Sequence, residues 1–198
     1  MRAILTFQGF RESARARTGT EDLYWTVIRS FANGEITSAW PMNWTADVKS
    51  TANQLARQGI SEVAIVSYSH GQAAATSFAE YAYSVGITVS LWLACDPVYR
   101  APKLPRWNIL QPLSAWSLTK WATIKVPRNI RRAVYVRQKL IIPRGHELIA
   151  EDSVRTTVVD AGFLPYSHTS IDSSGPWQDL VHAELTDWAR PPIAIPVL

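Results

Sequence analysis

Short apolar runs alternate along the chain with longer segments whose apolar residues recur every three or four positions. The first kind fits buried strands and the second fits amphipathic helices. Ala3 to Phe7 predicts a first strand. Thr20 predicts the cap of a first helix, with Glu21 and Asp22 in its opening turn and Leu23, Val27 and Phe31 on one face beside Tyr24 and Ile28. Gly34 stops it, and Ile36 to Trp40 predicts a second strand. Asn43 or Thr45 caps the next helix, which turns Val48, Ala52, Leu55 and Ala56 inward and closes at Gly59. Val63 to Ser67 predicts the third strand, and a helix follows that reaches Ser84 ahead of Gly86. Ile87 to Leu93, Arg132 to Arg137 and Val154 to Val159 predict three further strands, and Pro176 to Trp188 a last helix. Its stripe of Trp177, Val181, Leu185 and Trp188 has the spacing of a core face rather than of a cofactor box. Arg190-Pro191-Pro192 ends regular structure ahead of an extended tail. Strands and helices in alternation predict an α/β fold: a three-layer sandwich with a mostly parallel sheet of about six strands and helices on both faces.

The third strand runs directly into Tyr68-Ser69-His70-Gly71, followed by Gln72 and the small residues Ala73, Ala74 and Ala75. This is the strand–turn–helix pattern G-x-S-x-G with Ser67 in place of its first glycine. A sharp turn of that kind holds a hydroxyl clear of the sheet. The residues two before and two after the serine must be small, as Ser67 and Gly71 are, because they press against neighbouring strands. The N-terminus of the following helix favours a developing negative charge. The plain alternative is a strand–turn–helix junction with an incidental serine. At these residues the chain resembles the α/β-hydrolase superfamily of serine esterases and lipases. Val126-Pro127-Arg128-Asn129-Ile130 ahead of a strand is similar to small bacterial and phage lipase-like hydrolases.

The resemblance implies a nucleophile, an acid and a histidine in that chain order. Ser69 is the implied nucleophile. Asp96, leaving a strand end as Asp96-Pro97-Val98, fits the acid, although in the superfamily the acid more often follows the next strand; Asp160 is the runner-up, and a turn-capping aspartate is the plain reading. Of the four histidines, His70 points away from the serine hydroxyl and His182 falls inside the last helix. His168, between the last strand and the last helix, stands where the resemblance puts the general base; His146 in a turn is the alternative. The backbone N–H of His70 and that of Phe10, in Gln8-Gly9-Phe10-Arg11 after the first strand, are the implied oxyanion donors.

With 198 residues the chain is expected to form a single domain over positions 1–198. A basic excursion interrupts it at 97–121, with Pro97, Pro102, Pro105, Pro112, Trp107, Trp116 and Trp121. From Pro97 to His146 there are eleven Lys and Arg and no acid, while the remainder holds nine bases against sixteen acids. That asymmetry suggests either a face for an anionic surface or an ordinary solvated surface. Nine tryptophans is a high number, and Trp40, Trp44, Trp107 and Trp116 are expected in loops where an aromatic wall would suit an apolar acyl group. The expected partner is therefore a small-molecule or lipid ester. No nucleic-acid motif accompanies the basic stretch, which places a nucleic acid last. A single cysteine, Cys95, excludes an internal disulfide, and with no metal-ligand spacing or nucleotide loop no cofactor is expected. Met1 to Phe10 reads as a strand rather than a signal peptide, and no apolar run approaches the ~20 residues of a membrane span, so a cytoplasmic location is expected. The expected function is cleavage of carboxylic esters by a Ser-His-Asp triad through an acyl-enzyme. The alternatives are a catalytically inactive hydrolase-fold interaction protein and a basic nucleic-acid-binding module.

Overall fold

The computed structural model describes residues 1–10, 12, 18–99, 122–139 and 145–190. Six strands form one sheet: β1 (Arg2–Phe7), β2 (Ile36–Ser38), β3 (Glu62–Tyr68), β4 (Thr88–Cys95), β6 (Ile130–Gln138) and β8 (Thr157–Leu164), in the order β2-β1-β3-β4-β6-β8. Every neighbouring pair is parallel. Two short strands, β5 (Thr123–Val126) and β7 (Glu147–Ala150), pair in parallel as a separate ribbon. Among the described residues four α-helices accompany them: α1 (Gly19–Thr26), α2 (Val48–Arg57), α3 (Gly71–Ser84) and α4 (Gly175–Ala189).

Successive side chains of a strand point to opposite faces, and both faces here are covered. Val63 and Ile65 of β3 join Phe7, Trp92 and Tyr135 in a core beneath α2 and α3. Ala64, Val66 and Tyr68 join Ile4, Leu93 and Val136 in a second core beneath α1 and α4. That is the three-layer sandwich expected of the pattern. The stripe on α4 is core packing: Trp177, Val181 and Leu185 are buried, and the Trp188 indole donates to Ser90 Oγ at 2.6 Å.

Strand order reverses at β1, whose chain first moves outward to β2 and then returns to its other side as β3. Such a reversal leaves a crevice beyond the carboxyl ends of the two central strands. The β3–α3 turn and the segment after β1 both open there.

Several boundaries differ from expectation. The α1 cap is Thr18, whose side chain accepts from the Glu21 N–H, because Thr20 is engaged elsewhere. Asp47 caps α2, while Asn43 closes a turn on the Thr45 N–H. β2 ends at Ser38, short of Trp40. β8 begins at Thr157 rather than Val154, because Asp152 folds the preceding residues into a turn: its side chain takes the Val154 N–H, and its carbonyl takes those of Arg155 and Thr156. Val154 is left 94% exposed. The excursion at 97–121 lies, from Arg100 on, outside the described residues, as does the tail at 191–198. Among the described residues no helix is long and apolar enough to cross a membrane.

Cys95 ends β4 with no exposed surface, and burial, with Asp172 and Asp96 nearby, pushes its thiol well above the usual range. A protonated, enclosed thiol does not react. A disulfide reagent at pH 8 should therefore label the native protein only as fast as it unfolds, and should label it at once in denaturant. Stoichiometric labelling of native protein within the mixing time would contradict this packing.

Candidate active site

Ser69 follows the last residue of β3 and adopts φ 52°. For a residue with a side chain this left-handed conformation costs about 1–2 kcal/mol, so surrounding structure must hold it. Its N–H donates to the Cys95 carbonyl at 3.0 Å, and its carbonyl accepts from the Val98 N–H at 3.1 Å. Chain leaving β4 thus grips the turn on both sides. Two residues on, a Cβ placed at Gly71 would lie 2.4 Å from the Phe7 carbonyl oxygen, so this position admits only glycine without backbone movement.

The other small position has a different explanation. Ser67 points into the α2–α3 core, where its Oγ accepts the indole N–H of Trp92 at 2.9 Å. Trp92 has no exposed surface, and a buried indole needs an acceptor. The departure from glycine is therefore a packing solution: serine is small enough for the turn and polar enough for the tryptophan.

Asp96 is the only other described residue besides glycine with positive φ, at 44°. Its N–H donates to the Val136 carbonyl at 2.8 Å, and its Oδ1 accepts the Gln138 N–H at 3.1 Å. The second oxygen, Oδ2, lies 2.5 Å from Nδ1 of His168. His168 sits in the chain between β8 and a short 3₁₀ turn, Ile171–Ser173. Its Nε2 stands 2.8 Å from Ser69 Oγ. An ionised carboxylate only accepts, so Nδ1 carries the imidazole hydrogen and the Nε2 lone pair faces the serine hydroxyl. Asp96 is fully buried, and the His168 side chain is 11% exposed. Ser69, Asp96 and His168 are thus brought into one hydrogen-bonded line.

The rival candidates are occupied otherwise. His146 donates its N–H to the Pro97 carbonyl at 2.7 Å, and its Nδ1 accepts the Tyr99 N–H at 3.0 Å. It braces the chain after Asp96. Asp160 pairs with Arg137, as does Glu147 at 3.1 Å. His182 is an exposed residue of α4 beside Phe31. Among the described residues no group of three or more His, Cys, Asp or Glu could hold a metal ion.

The two implied oxyanion donors belong to segments that meet. The rings of Phe10 and His70 touch edge to face at 6.1 Å, and Trp44 packs against both. A Cβ on Gly9 would stand 3.1 Å from the Cβ of Ser69, so the segment after β1 passes as close to the serine as a bare backbone can. One participant escaped sequence reasoning. Glu12 is buried, and its carboxylate accepts the Gly9 N–H at 2.6 Å, the Thr20 N–H at 3.0 Å and the Thr20 hydroxyl at 2.5 Å. It ties the segment beside Ser69 to the start of α1. No local signal in the sequence marked Glu12.

Trp40 packs against α1. It is 49% exposed, and its ring meets Tyr24 at 5.2 Å and Trp25 at 5.8 Å. Trp107 and Trp116 lie outside the described residues.

A parallel sheet between two helical layers, with a strained serine at the end of a central strand, defines the α/β-hydrolase fold. Among solved structures, the surfactin thioesterase domain SrfTE, which cyclises a lipopeptide antibiotic, aligns over 96% of this chain and 92% of its own, with a TM-score of 0.52 and 13% identity. No protein-family profile and no curated protein matches the sequence.

Ser67→Gly would restore the common motif yet should destabilise the protein by about 1–3 kcal/mol, because it strands the Trp92 N–H in the core. The double variant Ser67→Gly/Trp92→Phe should lose less than the sum of the two single changes. Denaturant unfolding of the four proteins measures this, and strict additivity would show that the hydroxyl–indole contact contributes nothing.

Proposed function

We propose that this protein is a serine hydrolase that cleaves carboxylic esters through an acyl-enzyme. The observation that carries the reading is the continuous line from Ser69 Oγ through the His168 ring to Asp96, with distances of 2.8 and 2.5 Å. In this proposal His168 Nε2 removes the Ser69 proton as Oγ bonds to the ester carbonyl carbon. Asp96 holds the ring in the required tautomer and stabilises the imidazolium. The backbone N–H groups of Phe10 and His70 receive the oxyanion. The tetrahedral intermediate collapses, the C–O bond to the alcohol breaks, and the leaving oxygen takes the proton from Nε2. Water, deprotonated by the same nitrogen, then attacks the acyl carbon and frees the acid and Ser69.

Two further observations support this reading. Both described non-glycine residues with positive φ are members of the proposed triad, and backbone strain of this kind concentrates at functional sites. The fold likeness is to a domain that itself handles acyl groups. Because the same machinery transfers acyl groups from sulfur, the assay should include a thioester beside the oxygen esters. The aromatic surroundings of Phe10, Trp44 and His70 favour an apolar acyl group or lipid ester over a charged one.

Ser69→Ala should lower turnover of chromogenic short-chain esters by about 10³-fold or more, and Asp96→Asn by about 10³–10⁴-fold through the wrong histidine tautomer. A fluorophosphonate probe should label the wild-type chain at Ser69, read by peptide mapping, and leave Ser69→Ala unlabelled. Equal turnover by wild type and Ser69→Ala, or no labelling of folded wild type, would refute the proposal and leave a catalytically inactive hydrolase fold.

A further inference from the structure

We propose that Tyr68 is the positioning residue of this site, its hydroxyl fixing the main chain of His168 and its ring supporting the segment that carries Phe10. The proposal rests on the reading of Ser69, His168 and Asp96 as the catalytic set. Tyr68 directly precedes Ser69 and points to the opposite face of the sheet, into the core beneath α1 and α4. Its hydroxyl donates to the backbone carbonyl of His168, one hundred positions later in the chain. Its ring lies 5.2 Å from the imidazole, at 32° between planes. A Cβ on Gly9 would stand 2.8 Å from both Cδ1 and Cε1 of the same ring, so the ring presses on the residue ahead of Phe10. One side chain therefore touches the two segments that must be placed relative to Ser69, and it is joined to Ser69 by a single peptide bond.

The need for such a strut follows from the topology. His168 comes from chain that has left the edge strand β8, whereas Ser69 directly follows the central strand β3. The side-chain bonds of His168 to Asp96 and Ser69 orient its ring but do not fix its backbone. The Tyr68 hydroxyl does. Burial and the nearby Asp172 push its ionisation far above the ordinary tyrosine range, so it remains a donor at any pH where the protein is folded. Displacement of a reacting group by about 1 Å costs up to ~10²-fold in rate, which sets the scale of the effect.

Tyr68→Phe keeps the ring under Gly9 and removes only the donor. Its kcat for a chromogenic ester should fall by about ten- to a hundredfold with KM unchanged. The low-field proton resonance of His168 Nδ1–H, assigned by its absence in His168→Gln, should shift or broaden in the variant. Circular dichroism checks that the variant is folded. If it is not, 3-fluorotyrosine at position 68 keeps the shape and strengthens the donor, and the same resonance should then move. An active wild type whose kcat and low-field proton are both unchanged by Tyr68→Phe would overturn the positioning role alone. The same holds for a resonance unmoved by the fluorinated residue. A folded wild type that neither turns over esters nor labels at Ser69 would overturn the catalytic reading and this proposal with it.

Discussion

Two residues at the carboxyl ends of adjacent strands hold a backbone conformation that L-amino acids avoid, and they hold it through each other. Ser69 donates to Cys95, the residue before Asp96, and accepts from Val98, two residues after it. The β3–β4 ladder thus continues past the last paired residues, Tyr68 and Cys95, into the turns themselves. Each left-handed residue costs about 1–2 kcal/mol, and each buried hydrogen bond returns on the order of 1 kcal/mol, so neither turn is stable without its partner. The nucleophile candidate and the acid candidate are therefore one structural unit. Gln72 adds to the clamp by donating its side-chain amide to the Val98 carbonyl at 2.8 Å.

The rest of the architecture supplies the third group and the approach. Reversal of strand order at β1 brings the segment after β1 alongside the β3 turn, and the Gly71 position, which excludes any side chain, lets the two backbones meet. The chain returns from β8 across the same crevice with His168. Glu12 then binds the loop after β1 to the start of α1, and Tyr68 binds that loop and the His168 segment to the end of β3. The basic segment contributes differently from its appearance in the sequence. Arg132 is paired with Glu184 of α4 at 2.7 Å, and Arg137 is buried between Glu147 and Asp160 with its guanidinium over Phe163 at 4.6 Å. Those charges join β6 to its neighbours, so part of the apparent basic face is internal cement.

The layer order and the turn at Ser69 were legible because each rests on a local pattern. Alternation of strand and helix gave the sandwich, and the serine between small residues gave the turn. The candidate acid and histidine were found through the chain order that the resemblance implies. What was hidden depends on partners far away in sequence. Ser67 looks like a weakened motif until Trp92 arrives from β4 with an indole N–H to satisfy. Glu12 lies in an unpatterned stretch, and its importance comes from the backbone donors folded around it. β5 and β7 are four residues each and, among the described residues, pair with one another, too short for periodicity to register. Val154, a strand former by composition, is turned outward by Asp152, whose local hydrogen bonds outweigh β-propensity at an exposed site.

The placement of the candidate acid after β4 rather than after β6 has a physical counterpart at the end of β6. Gln138 occupies that position, fully buried, and it offers its backbone N–H to Oδ1 of Asp96. A carboxylate there as well as at 96 would put two like charges in one desolvated pocket, raising the affinity of one for a proton and spoiling it as an acceptor for the histidine. Gln138 instead brings a neutral side chain, and its backbone N–H dipole points at Oδ1. The two strand ends thus meet at one carboxyl group, which the first supplies and the second hydrogen-bonds. With Oδ1 satisfied by Gln138, Oδ2 is left to the His168 ring, and the direction of that ring toward Ser69 is set from behind.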